Sequence, residues 1–258
     1  MIQIKKENMK NIAPLFNGWD ETLIWSCLQG CMGMAWADNE NNPKSAQIIT
    51  GDFCCFAGLP NIELTKNIPE DHTSEFILMI PQNDKWSKMI ENVYGEKCEK
   101  ILRYAIKKEY DIFDKDLLSS FVNGLPKEYT IEMIDEDLFN KLKTEEWSYD
   151  LCSLFKSYDE YEKHGLGAVV INNGIPVSGA SSYGYYDKGI EIEIDTKLEY
   201  RRKGLATACA AKLILDCLER NLYPSWDAHD LRSVALAEKL GYHLDKSYVT
   251  YVVTTSKH

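Results

Sequence analysis

The residues best placed to do chemistry are Arg201-Arg202-Lys203-Gly204, which follow a run of alternating isoleucines and acids, Ile190-Glu191-Ile192-Glu193-Ile194-Asp195. They precede a helical stretch from Thr207 to Arg220. Period-two alternation reads as a strand. A helix start leaves backbone N–H groups unpaired, and its dipole favours negative charge there. Three cations and a glycine at that junction make a seat for a pyrophosphate. The plainer reading is a solvated basic turn.

A second element favours the seat. Pro224-Ser225-Trp226-Asp227-Ala228 reads as a strand. Asp230-Leu231-Arg232-Ser233 and Leu236 to Tyr242 then read as a turn and a short helix closed by Gly241.

Together these segments resemble the GNAT superfamily of acyl-CoA-dependent N-acyltransferases. Arg201, Gly204 and Ala206 match its Q/R-x-x-G-x-G/A pyrophosphate loop. Ser233 through Tyr242 match its N-x-x-S…L-G-F/Y helix, with Asp230 where that pattern has Asn. The chain is also similar to the zwittermicin A resistance-type acetyltransferase branch, in which a GNAT domain follows an N-terminal lobe. WSCLQGCMG, GDFCCFAG, IEIEIDT, RRKGLAT, PSWDA and LAEKLGY carry that likeness.

The resemblance implies acetyl-CoA as acyl donor, lying between the Ile190–Thr196 and Tyr223–Ala228 strands, and no metal. It implies that the backbone of Ile194 and Thr196 holds the pantetheine arm. Arg202, Lys203, Gly204, Leu205, Ala206 and Thr207 would supply N–H groups to the pyrophosphate, with Arg201 adding charge. Asp230 and Ser233 belong to the cofactor end. The acceptor is then an amine, which must lose a proton before it attacks. Glu193 is the first candidate base and Glu191 the second; the plainer role for each is the solvent face of a strand. Trp226 and Asp227 would line the acceptor pocket, with core filler the equal alternative for Trp226. Ala237 stands where many relatives carry a tyrosine acid, so the general acid is unassigned between Ser233 and water. The implied activity is direct acetyl transfer to a small-molecule amine. The alternative is a non-catalytic acyl-CoA-binding sensor or interaction module.

At 258 residues and 45% hydrophobic composition, the chain suits one large or two small domains with packed cores. A net charge of -11 disfavours nucleic acid as a partner; it is compatible with a cationic acceptor, but solubility is the plainer reading. No apolar run is long enough to cross a membrane, and Met1 to Lys6 is not a signal peptide. A cytoplasmic protein is expected. The eight cysteines form no C-x-x-C pair, which points to reduced, mostly buried thiols rather than a metal site.

The expected fold class is α+β: a GNAT-type mixed sheet with flanking helices at residues 125–258, preceded by a smaller α+β lobe at 1–124, a candidate decayed GNAT-like copy. The boundary is placed at the turn-forming Asn123-Gly124-Leu125-Pro126. In the first lobe, Asp20 is a candidate cap for a helix through Leu28, Ser45–Ala57 reads as a strand, and Asp84–Tyr94 reads as a helix. In the second, Asn172-Asn173-Gly174 reads as a hairpin turn.

Overall fold

The computed structural model describes residues 1–255. The chain forms two compact units: Met1–Arg103 with the terminal stretch from Ser247, and Tyr104–Lys246.

The first unit contains β1 (Ile2–Ile4), α1 (Met9–Ile12), α2 (Thr22–Leu28), β2 (Met34–Ala37), β3 (Ser45–Thr50), β4 (Phe53–Gly58), α3 (Ile62–Lys66), β5 (Phe76–Pro81), α4 (Asp84–Tyr94) and most of β6 (Cys98–Ile106). Glu21, not Asp20, caps α2 by accepting the Leu23 N–H. The stretch expected as one strand over Ser45–Ala57 is two, because Gly51 turns the chain at φ 57° and makes a β3–β4 hairpin. β4 and β5 run parallel and stay paired from Phe53↔Leu78 to Phe56↔Pro81. Beyond that point Gln82 clamps them: its N–H reaches Phe56 O at 3.1 Å and its Oε1 accepts the Gly58 N–H at 3.0 Å.

The second unit begins with α5 (Lys115–Asn123), β7 (Tyr129–Met133), α6 (Glu136–Leu142) and α7 (Tyr158–His164). It continues with β8 (Gly167–Asn172), β9 (Ile175–Tyr186), β10 (Gly189–Thr196), α8 (Leu205–Glu219), β11 (Tyr223–Ser225), β12 (Asp227–Ala228), α9 (Leu231–Lys239) and the start of β13 (Leu244–Thr254). Its five-stranded sheet has the order β11-β10-β9-β8-β7. Asn173 and Gly174 both take positive φ and close the β8–β9 hairpin, as the sequence leads one to expect. β13 crosses the division, and its Tyr251–Thr254 end pairs with β5 inside the first unit.

The junction expected at 124/125 falls inside the second unit. The reason is α5, which the sequence reading leaves without an element. Asp114 caps it, and Leu118 joins Cys209, Leu213 and Ile214 of α8 in one buried cluster. α8 is buried on most sides, with small residues (Ala208, Cys209, Ala210, Ala211) toward its start. Cys209 Sγ reaches the Ser178 carbonyl of β9 at 3.4 Å, a close approach that a larger side chain would prevent.

Candidate active site

β10 holds the acids. Its partner β9 has a bulge: Glu191 faces Gly184 and Ile192 faces Ser182, so the extra residue is Tyr183. The surplus lies on β9, so the alternation of β10 is uninterrupted. Ile190 and Ile192 pack in the core with α8. Glu191, Glu193 and Asp195 therefore share the other face. Opposed residues of an antiparallel pair project to one face, so Glu193 stands beside Ser181 and Asp195 beside Gly179. Ser181 Oγ and Tyr161 Oη lie 2.7 Å apart, both buried. Leu151 fills the space over Gly179, where an added Cβ would meet its Cδ1 at 2.6 Å.

β10 pairs in parallel with β11 only over Gly189↔Tyr223, Ile190↔Pro224 and Glu191↔Ser225. It then runs on to Thr196 beside β9 alone, while β12 pairs with Tyr104 and Ala105 of β6. The expected single strand Tyr223–Ala228 is thus two, and Trp226 sits at the break. The pairing of β10 with β11 ends at Glu191 and Ser225, and β12 continues on a different neighbour. Glu191 is 6% exposed at the point where the strands part.

At the far end of β10 the chain turns into α8. Arg202 and Gly204 both lie in the left-handed region, at φ 62° and 80°. That conformation costs an arginine roughly 1 kcal/mol, the kind of local strain found at ligand-binding turns. Seven of the nine α-helices among the described residues start on a side-chain cap; the exceptions are the one-turn α1 and α8. The first N–H groups of α8, from Leu205, Ala206 and Thr207, lie behind Gly204, whose missing side chain leaves open space around it. Arg202 and Lys203 are exposed, and Lys203 Nζ lies 4.6 Å from the Tyr200 ring centroid.

Arg201 is bent back. Its Nε donates to Thr196 O at 3.0 Å and its guanidinium meets Asp195 Oδ1 at 3.2 Å. Asp195 Oδ1 also accepts the Thr196 N–H at 2.6 Å. So of the two backbone positions expected to hold a pantetheine arm, Thr196 has its N–H engaged by a carboxylate that a ligand must displace. Its Oγ1 lies 2.7 Å from Ser178 Oγ, and the residue is buried.

The other expected residues take more structural places. Trp226 is 5% exposed and belongs to the core, edge-on to Tyr242 at 5.4 Å. It does not present its indole face to solvent, because β11 and β12 pair with different strands and the residue between them turns inward. Its indole N–H donates to Ser233 Oγ at 3.1 Å, which ties α9 to that core. Asp227 is half-buried on β12. Asp230 caps α9, accepting the Arg232 and Ser233 N–H groups at 2.9 and 3.0 Å. The Arg232 guanidinium bonds its other oxygen and holds its carboxyl below the usual range. The charge that replaces the pattern's Asn is thus neutralised locally. Tyr242 donates to Pro224 O at 2.6 Å and is buried, a core role.

One group escaped the sequence reading. Lys197, next along from Thr196, pairs with Glu145 at 2.7 Å. Glu145 also accepts the Trp147 indole N–H at 2.8 Å. No local pattern links residues so far apart in the chain. Among the described residues no three His, Cys, Asp or Glu side chains form a metal-holding group.

The frame is α+β, and at one edge of its five-stranded sheet the parallel pair β10–β11 ends its pairing on the strand that leads to a basic, uncapped helix start. The family model for GNAT acetyltransferases matches residues 13–251, and the chain belongs to that family; it is an acyltransferase. It is similar to YdfB of Bacillus subtilis (strain 168), an uncharacterized N-acetyltransferase, at 26% identity over 96% of this chain and 97% of that one. The crystal structure of a GCN5-related N-acetyltransferase-like protein from Streptococcus suis 89/1591 superposes with a TM-score of 0.90 at 46% identity, covering 95% of this chain and 98% of that one. A tandem GNAT protein from the clavulanic acid biosynthesis pathway shares the fold over the whole length, with a TM-score of 0.60 at 9% identity, covering 100% of this chain and 99% of that one.

Proposed function

We propose that the second unit transfers an acetyl group from acetyl-CoA directly to the primary amine of a small molecule. One observation carries this reading: the uncapped start of α8, behind the left-handed Arg202 and Gly204, opens at the end of the strand that has parted from β11. Backbone N–H groups there suit a pyrophosphate, and the unpaired edge of β10 at Ile194 suits an extended amide-bearing arm. GNAT acetyltransferases in general take acetyl-CoA as donor, and the residues present fit it. Arg202, Lys203 and the first turn of α8 would hold its phosphates. Glu193 would take the proton from the ammonium, directly or through water, with Glu191 the second choice. Donors fixed in advance along β10 would favour the charge that develops on the carbonyl oxygen.

The first unit takes a supporting role in this reading. Its parallel pair β4–β5 stays closed, and Asn61 caps the helix that follows by accepting the Glu63 and Leu64 N–H groups. Both features that make room for a carrier in the second unit are filled here by the protein's own atoms. This is what a copy that has lost its carrier site would look like.

The acceptor class rests on the likeness to zwittermicin A resistance-type enzymes and on the acid-rich strand, which together favour a cationic aminopolyol-like molecule. The test is a panel of primary amines (alkylamines, diamines, amino sugars, aminopolyols) with radiolabelled acetyl-CoA. Acetylated product from at least one member, with calorimetric binding of CoA, is expected. Binding without product across the panel would instead favour the non-catalytic sensor, and the lack of both would remove the reading.

A further inference from the structure

The end of β10 is tied in two directions, and only one tie leads to the phosphate loop. Arg201 links Asp195 and Thr196 to that loop. Lys197, one residue on, reaches the other way. Its own N–H continues the sheet by donating to Val177 O at 2.9 Å, so the root of the side chain is fixed. Its Nζ meets Glu145 Oε2 at 2.7 Å and lies 5.6 Å from the Trp147 ring centroid. Trp147 in turn donates its indole N–H to the same Glu145 oxygen. With side chains only 18% and 33% exposed, the pair is better shielded than an ordinary surface ion pair. The Lys197 bond, helped by the indole N–H, holds the Glu145 carboxyl below its usual range.

Glu145 and Trp147 belong to the segment between α6 and α7. Ser148 anchors that segment to the end of α6 through Leu142 O at 2.8 Å. Three residues later, Leu151 lies over Gly179, the partner of Asp195. Residues 145–151 therefore lie on the sheet face that carries Glu193 and Asp195. On the reading of the site given above, an amine that gives its proton to Glu193 must pass this segment.

We propose that Lys197 is a positioning residue: through Glu145 it fastens residues 145–151 as the acceptor-side wall of the site, and so sets amine recognition without contributing to carrier binding. The inference rests on the proposed acetyl-transfer reading for its functional half, but the latch itself is testable without turnover. The carrier loop has its own tie through Arg201, which is why the two affinities separate.

The experiment uses the full chain and four variants: Lys197→Met, Glu145→Gln, Lys197→Arg, and the exchange Lys197→Glu with Glu145→Lys. Hydrogen–deuterium exchange is followed over residues 143–151. KM and kcat are measured for the best amine of the panel at saturating acetyl-CoA, and CoA binding is measured by calorimetry. The expected result is at least tenfold faster exchange in Lys197→Met and Glu145→Gln, with KM for the amine raised at least fivefold and CoA affinity within twofold. Lys197→Arg and the exchanged pair should recover most of both effects. Unchanged exchange at 143–151 would overturn the latch, whatever the activity. Faster exchange with an unchanged amine KM would overturn the positioning role. Loss of CoA affinity together with amine affinity would assign Lys197 to the carrier instead. Failure of the wild-type chain to acetylate any amine would overturn the acetyl-transfer reading and with it the recognition role, while the exchange data would still decide whether the latch exists.

Discussion

Asp195 Oδ1 accepts the Thr196 N–H and the Arg201 guanidinium at once, at 2.6 and 3.2 Å. One carboxylate thus occupies two donors at the mouth of the proposed carrier site. It behaves as an internal anion where an external one is expected to dock. The Arg201–Asp195 pair is half exposed, so its own contribution to stability is small. Its cost falls on the ligand, which meets a like charge and a filled N–H.

Asp195→Asn should therefore tighten CoA binding about two- to fivefold, an unusual gain from removing a side-chain charge in a site. Calorimetry at low and moderate salt checks it, and the gain should shrink as salt screens the carboxylate. Weaker binding would show that Asp195 holds the loop in its binding shape instead.

Gly204 has a different constraint. At φ 80° and with open space where a Cβ would stand, an alanine meets no clash but must adopt a left-handed backbone. Gly204→Ala should cost roughly 1 kcal/mol of stability, read from denaturant midpoints. Gly204→Glu adds a carboxylate at the helix start and should weaken CoA binding at least tenfold. Equal affinity in that variant would reject the placement of the pyrophosphate.

Glu193→Gln should lower kcat by about a hundredfold or more, with CoA affinity within twofold, since a removed general base typically costs that much. Glu191→Gln is the control. Its carboxylate is buried where β10 and β11 part, so its loss should act first on stability. If Glu191→Gln lowers kcat more than Glu193→Gln does, the base is Glu191.

The thiols supply a pH test. None of the eight cysteines is in a disulfide. Burial pushes the thiols of Cys27, Cys54, Cys152, Cys209 and Cys217 up to about 12. A raised folded value means that the stabilisation is complete below the unfolded value of 9.0 and is lost as the pH rises toward 12. Thermal midpoints should hold to about pH 9 and then fall. The half-buried Cys31 and Cys98 should be the thiols that react first with an aromatic disulfide in the native protein, the other six reacting only on unfolding. Fast reaction of more than two thiols would contradict the packing.

The legible parts of this protein are local ones. The strand at Ile190–Thr196, the hairpin turn at Asn173-Gly174 and the helix at Asp84–Tyr94 all follow from residues within a few positions of one another. α5 carries the same kind of signal, with Asp114 ahead of Leu117, Leu118 and Phe121, although the sequence reading assigns it no element. The break at Trp226 has no local signal, because whether a strand continues depends on which neighbour it pairs with.

By itself the sequence determined that a strand feeds a basic, glycine-bearing helix start, and that three acids alternate along that strand. Those are read from period-two alternation and from charge within one short window. Only tertiary structure decided that β10 and β11 part after Glu191 and Ser225, that Trp226 is core, that Asp195 turns back on its own strand end, and that Glu145 meets Lys197. Each depends on chain segments brought together by the burial of apolar surface, and such pairings are set by the whole packed unit rather than by any window of it.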